Sequence, residues 1–246
     1  MKRIFLFVAF IAVVQLVSAQ ETEKSTSLKH FSGSVLVTNN GISIVPSFSL
    51  GEPAAVFDLS IGGDQFRFEP QFRFSMEGKP WAFIFWFRYK PVVNEKFSLQ
   101  IGAHPAIMFH DATFDEDGFA EDGLEGRRFL AAEIAPVFQL TEHFSFEPYY
   151  LVGQGFDRGL ENTHYLTMRG NISDLALSEK LLFSFAPEVY YLWMDSVDGF
   201  YCASSFTLEH REWPFKLGAM MNQKINTDIE SDDFIWNISL TYSFGD

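Results

Sequence analysis

Between residues 65 and 76 the chain reads QFRFEPQFRFSM, with phenylalanine at nearly every even position and arginine, glutamate or glutamine at nearly every odd one. A repeat of two residues is the period of a β-strand, because successive side chains leave the backbone on opposite faces. One face of this ribbon is therefore apolar and the other charged. The pattern recurs over 81–90, 97–110, 128–140, 143–154, 181–194, 200–209, 215–224 and 234–244, and more weakly over 42–50, 55–61 and 163–172. No stretch keeps a 3.6-residue apolar repeat over helical length. With short turn signals between the segments, the pattern predicts an all-β antiparallel meander of about twelve strands.

The two faces differ consistently. In the final segment Phe234, Trp236, Ile238, Leu240, Tyr242 and Phe244 alternate with Asn237, Ser239, Thr241 and Ser243. Elsewhere the polar face carries Arg67, Glu69, Gln71, Arg73, Arg88, Gln100, His104, Glu133, Glu147, Arg169, Glu188, Glu209 and Lys216, many of them charged and in mid-strand. A soluble sandwich or lipocalin-like barrel turns its apolar faces inward, whereas a transmembrane barrel turns them to lipid and keeps a polar lumen. Three features favour the second. The best segments run about 9 to 14 residues, enough for a tilted span, against about five or six in soluble sheets. Aromatics stand near segment ends, as Trp81 and Tyr89, Trp193, and Trp236 and Tyr242 do. Counting 42–50 as the first strand, the acidic segments 111–126 and 226–233 follow odd-numbered strands, while the turns VVNE and LTEH follow even ones. Such alternation places both chain ends on the periplasmic side and the acidic loops outside. Five prolines, Pro70, Pro105, Pro136, Pro148 and Pro187, fall on the apolar face; each removes a ladder donor and predicts a local break or bulge.

Composition agrees with alternation. The chain holds 29 Phe, 5 Trp and 8 Tyr, yet 20% of its residues are charged, and its mean hydropathy is +0.02. Lys2 and Arg3, the apolar run 4–14 and the small residues before Gln20 predict a cleaved secretory signal over 1–19, then a periplasmic segment over 20–41 and a barrel over 42–246. Beyond that signal the longest apolar run is WAFIFWF at 81–87, too short for a membrane helix of about 20 residues. The net charge of −14 becomes −16 once Lys2 and Arg3 leave, a balance that disfavours nucleic acid as a partner. The single cysteine, Cys202, excludes an internal disulfide and falls on the apolar face.

From its amino-terminal signal through an even strand count to a last strand ending Tyr242-Ser243-Phe244, the chain resembles the small outer-membrane β-barrel proteins of Gram-negative bacteria. The resemblance implies an outer-membrane location, surrounding lipid, and recognition of the aromatic terminal strand by the barrel-assembly machinery during insertion. Here Gly245 and Asp246 follow Phe244, displacing that terminal aromatic by two residues.

Candidate chemistry is sparse. Asp115 and Asp117, followed by Gly118, echo part of a calcium loop, but Thr113 and Leu124 stand where further oxygen ligands would fall. His110 and Asp111 are neighbours that would suit a general-base pair at a barrel rim, without a serine in a matching context. His104 and His110 share the polar face, with no partners in place for a metal. No cofactor is implied. The lumen charges are the most functional set, and they suit either a hydrated plug or a narrow path for small hydrophilic solutes. The expected function is a non-enzymatic barrel, channel-like; the alternatives are a structural, adhesion or complex-forming barrel and, third, a rim-located hydrolase.

Overall fold

The computed structural model describes residues 29–116 and 119–245. Twelve antiparallel strands close into a barrel: β1 (His30–Thr38), β2 (Ala54–Gly62), β3 (Phe66–Ser75), β4 (Pro80–Val93), β5 (Phe97–Glu116), β6 (Phe119–Gln139), β7 (Phe144–Gly155), β8 (Asn162–Ala176), β9 (Leu181–Met194), β10 (Val197–His210), β11 (Phe215–Thr227) and β12 (Phe234–Gly245). Each strand pairs with the next, and β12 returns to β1 with Ser32 opposite Gly245 and Thr38 opposite Ser239. Closure removes the sheet edges within the barrel wall; beyond Met108 and before Phe129, β5 and β6 pair only with each other. Among the described residues no helix is long and apolar enough to cross a membrane. Short turns at 63–65, 94–96, 140–143, 177–180 and 211–214 gather at one end, the turn end; the opposite, loop end carries 39–53, 156–161 and 228–233.

The wall is inside-out relative to a soluble barrel. Phe57, Phe66, Phe87, Ile101, Leu130, Val189, Phe200, Leu217, Trp236 and Leu240 are exposed on the exterior. Across β2 to β5 the rings form a chain, Phe57 to Phe74 to Phe83 to Phe109, with centroids 6.0, 5.5 and 5.0 Å apart. Cys202 lies on this exterior, half-buried and unpaired, as its place in the alternation requires.

The first strand lies upstream of its expected position. Residues 42–50 are not a strand but part of the loop 39–53, and β1 is formed by 30–38, which were expected to precede the barrel. Pro46 explains the first half of this correction: it withholds a ladder donor and starts a 3-10 turn, Pro46–Phe48. Gly33 explains the second, since it interrupts the apolar face of β1. Phe244 of β12 covers that gap, its ring lying 2.5 Å from where a Cβ on Gly33 would stand. At the other extreme, β5 and β6 continue through most of the expected acidic loop and stay paired out to Glu116 opposite Phe119. Thr113 Oγ1 donates to Asp122 Oδ1 across this extension at 3.1 Å.

The five prolines are accommodated by one rule. In an antiparallel strand each residue directs both backbone groups to a single neighbour, so a proline disturbs only one of its two ladders. Pairing of β2 with β3 steps from Asp58↔Gln71 to Ile61↔Phe68, passing over Pro70. The β4–β5 ladder steps from Ile84↔Ala106 to Phe87↔Ala103, over Pro105, and β8–β9 from Arg169↔Glu188 to Ile172↔Phe185, over Pro187. In β6–β7 the step from Ile134↔Tyr150 to Phe138↔Phe146 sets Pro136 and Pro148 face to face, so two missing donors share one gap. On its other side each proline is paired in register: Pro70 with Phe85, Pro105 with Leu130, Pro136 with Leu99, Pro148 with Met168 and Pro187 with Ser204. All four gaps lie inside hairpins closed by a turn-end turn, and the ladders that alternate with them carry no proline gap.

Candidate functional site: the lumen

Alternation sends the polar residues inward, where each charge finds partners. Arg88 of β4 is the hub of the largest group. Its guanidinium donates to Glu69 Oε2 at 2.6 Å and to Glu133 Oε1 at 2.8 Å, and it stacks on Trp86, 4.2 Å from the ring centroid. Glu133, whose side chain is 0% exposed, also accepts from Gln100 Nε2 at 2.9 Å and from Tyr149 Oη at 2.8 Å. Three donors thus share the two buried oxygens of Glu133, and one guanidinium serves two acids, which is how buried charge is tolerated. Ser60 donates to Glu69 at 3.1 Å, while Arg73 donates to Gln71 and Gln71 to Asp58. Arg73 also lies over Trp81, 5.0 Å from its ring centroid.

The remaining expected lumen residues pair within adjacent strands. Arg169 and Glu188 stand opposite each other in β8 and β9 and bond at 2.7 Å. Lys216 and Glu209 do the same in β11 and β10, also at 2.7 Å, beside the turn end. Glu147 accepts from Ser145 at 2.6 Å and from Asn171 at 3.2 Å. Arg67 faces Arg88 across β3 and β4, and the like charges part: Arg67 turns to the Gly63 carbonyl while Arg88 turns to its two acids. His104 is 8% exposed, sits edge-on to Trp86 with centroids 4.1 Å apart, and leaves Nδ1 without a hydrogen-bond partner among the described residues.

The loop half of the lumen is apolar, which the polar-face pattern did not foretell. Loop 39–53 folds inward, so that Val45 packs with Tyr165, Tyr190, Leu192, Met194 and Tyr201, joined by Ile229 from loop 228–233. Phe48 meets Phe129 edge-on at 4.9 Å and lies against both this cluster and a second one of Ala54, Trp81, Ala82 and Met108. Trp81 anchors the loop, its indole N–H donating to the Phe48 carbonyl at 2.7 Å. This corrects the expectation of Trp81 as an interface aromatic. The β3–β4 register slips between Arg73↔Ala82 and Phe74↔Pro80, and Trp81 turns inward to only 4% exposure. Tyr149, Tyr165, Tyr190 and Tyr201 form a row on four successive strands, with centroids 5.9, 5.1 and 4.9 Å apart. Their inward parity was readable; their stacking was not. A single isoleucine in the acidic run 226–233 and the Pro46-Ser47-Phe48 triplet were the available signals for the infolded loops.

Because the tyrosine row fills one side, the other side stays open. A cavity of about 770 Å³ runs from Ser43 and Val45 of the infolded loop past Arg73, Arg88 and His104 to Ser32 and Ser243 near the turn end. Asp58, Glu69 and Gln71 also line it.

The other sequence candidates are not assembled. His110 and Asp111 point to opposite faces of β5, and Asp111 instead reaches Lys79 outside at 3.6 Å. Asp117 and the side chain of Asp115 lie outside the described residues, as does the predicted signal over 1–19. Among the described residues no group of three His, Cys, Asp or Glu side chains is placed to hold a metal ion.

No protein-family model matches the chain, and no curated protein matches it. Among solved structures the chain is similar to an outer-membrane channel from Pseudomonas putida F1, 11% identical over 92% of this chain and 100% of that one, with a TM-score of 0.54. It is likewise similar to the KdgM porin in complex with disordered oligogalacturonate, 12% identical over 87% and 99% of the two chains, also with a TM-score of 0.54. At such identity the likeness is one of fold. Twelve closed antiparallel strands, an apolar exterior and a charged lumen give this chain the fold of the outer-membrane β-barrels.

Proposed function

We propose that the protein is an outer-membrane channel passing small hydrophilic solutes along one side of its lumen, with loop 39–53 setting the narrow point. The observation that carries this reading is the cavity of about 770 Å³, which extends from the infolded loop to the turn end and is lined by groups of both charge signs. The turn end, with both described chain ends, is the periplasmic end, and the loop end faces outward. The two solved structures of like fold are described as a channel and a porin, which accords with the reading. The interior mixes both charge signs, with Arg88, Arg169 and Lys216 paired to acids, so it offers a polar path without a strong field of either sign, and size governs passage.

Planar-bilayer recording of the refolded barrel tests this. Small discrete conductance steps are expected, and deletion of residues 43–49 should enlarge them severalfold. Silence of both proteins would sink the channel and leave a structural barrel, for which the apolar packing around Val45 and Ile229 is the favouring observation.

A further inference from the structure

On the exterior at the turn end, a groove of about 710 Å³ lies between the turns 177–180 and 211–214 and crosses the ends of β9 to β12. Its floor is apolar, with Leu208, Phe215, Leu217 and Leu240 among its residues, whereas its rim is polar and carries both signs. Lys180 pairs there with Glu212 at 3.0 Å, and Glu179 stands beside them. His210 stacks on Trp213, centroids 4.4 Å apart, and its Nδ1 accepts the backbone N–H of Glu212 at 3.2 Å. A backbone N–H only donates, so Nδ1 carries no proton; in the neutral ring the proton is on Nε2, which is left as a donor.

We propose that this groove binds one zwitterionic diacyl phospholipid bearing a primary amine. Its phosphate accepts from His210 Nε2–H and Lys180, its ammonium meets Glu179 and Glu212, and an acyl chain lies along Leu217 and Leu240. Charge complementarity selects this occupant. A purely anionic headgroup would leave two carboxylates facing it, and a headgroup without phosphate would leave His210 and Lys180 unmatched. Height agrees, because Trp213 and the charged turns stand at the rim, where aromatic belts and headgroups meet. The inference rests on the barrel's spanning a bilayer.

Native mass spectrometry of the detergent-folded barrel tests it, with phosphatidylethanolamine, phosphatidylglycerol and diacylglycerol of identical chains as separate probes. Retention of the ethanolamine lipid should exceed that of the other two by about tenfold, and H210A with K180A should remove about that factor, the loss expected for charge-assisted hydrogen bonds. Equal retention of diacylglycerol, or undiminished retention in the double variant, would overturn the headgroup contacts; equal retention of phosphatidylglycerol would overturn the zwitterion. Heat-modifiable gel mobility checks that the double variant folds. On the unaltered protein, a photoactivatable acyl chain should label Trp213, Leu217 and Leu240, and labelling spread evenly round the barrel would overturn the site. A protein freely soluble without detergent would instead defeat the bilayer reading itself.

Discussion

At the scale of single residues, the lumen depends on a few side chains that serve several partners at once. Glu133 holds Arg88, Gln100 and Tyr149 together. Glu133→Ala strands all three in a buried site, and should cost about 3 kcal/mol in urea unfolding of the folded barrel, with Glu133→Gln costing less. Arg88 keeps Glu69, which holds the loss near the lower end of what a broken buried pair costs. Outside the membrane-spanning strands, Asp157 of loop 156–161 accepts both side-chain and backbone N–H groups of Arg128, at 2.7 to 3.0 Å. Those bonds hold its carboxyl down from the ordinary 3.8 to about 2. A folded value below the unfolded one means that the contact contributes fully above the unfolded value and is lost as pH falls through the folded one. Loop 156–161 should therefore loosen between about pH 4 and about pH 2, and a carboxyl titration of Asp157 by NMR should show its midpoint near the lower figure. A midpoint at the ordinary value would show that the contact is not formed.

At the scale of elements, the prolines and the infolded loop show how local sequence is overruled or absorbed. Because each proline opens only one ladder, and the five openings fall in four turn-end hairpins with Pro136 and Pro148 sharing one gap, every second ladder is free of a proline gap. Replacing Pro148 with alanine restores one donor, worth about 1 kcal/mol, and loosens the unfolded chain by a similar amount, so stability should stay within about 1 kcal/mol of the parent. Leu240→Pro, by contrast, strikes a strand paired on both sides, with Leu217 and with Val37, and should cost about 3 kcal/mol or more. Comparable losses from the two substitutions would refute the one-ladder account. For the loop, Trp81→Ala removes both the hydrogen bond to Phe48 and the packing beneath it. It should destabilise by about 3 to 5 kcal/mol and raise single-channel conductance toward that of the loop deletion. Unchanged conductance would show that the loop is held in place by its other contacts.

At the scale of the whole molecule, the barrel is two structures stacked end to end. Its loop half is filled like a soluble core by Val45, Phe48, Ile229 and the tyrosine row, and its turn half is a lattice of ion pairs beside a cavity. The packed tyrosine row and the open cavity thereby lie on opposite sides of the lumen. Much of this was legible beforehand. Strand number and strand faces follow from a period of two, as does the expectation of an inward set from Arg67 to Lys216. The position of β1 was not, because Gly33 blanks its apolar face and the residue that fills the gap, Phe244, is more than 200 positions away. Nor was the inward turn of Trp81, which depends on a register slip between two strands.

By itself the sequence determined the class of the protein: alternation decides which side of each strand is apolar, and strand length with charged inner faces decides that the apolar side looks outward. It determined as well that five prolines would interrupt the sheet. Only the tertiary structure decided where those interruptions fall relative to one another, which acid each arginine meets, and that residues 39–53 enter the lumen. The physical reason is range. Facing is set by the backbone within two residues, whereas register, bulges and the filling of a closed barrel are set by side chains that meet only once the twelfth strand has returned to the first.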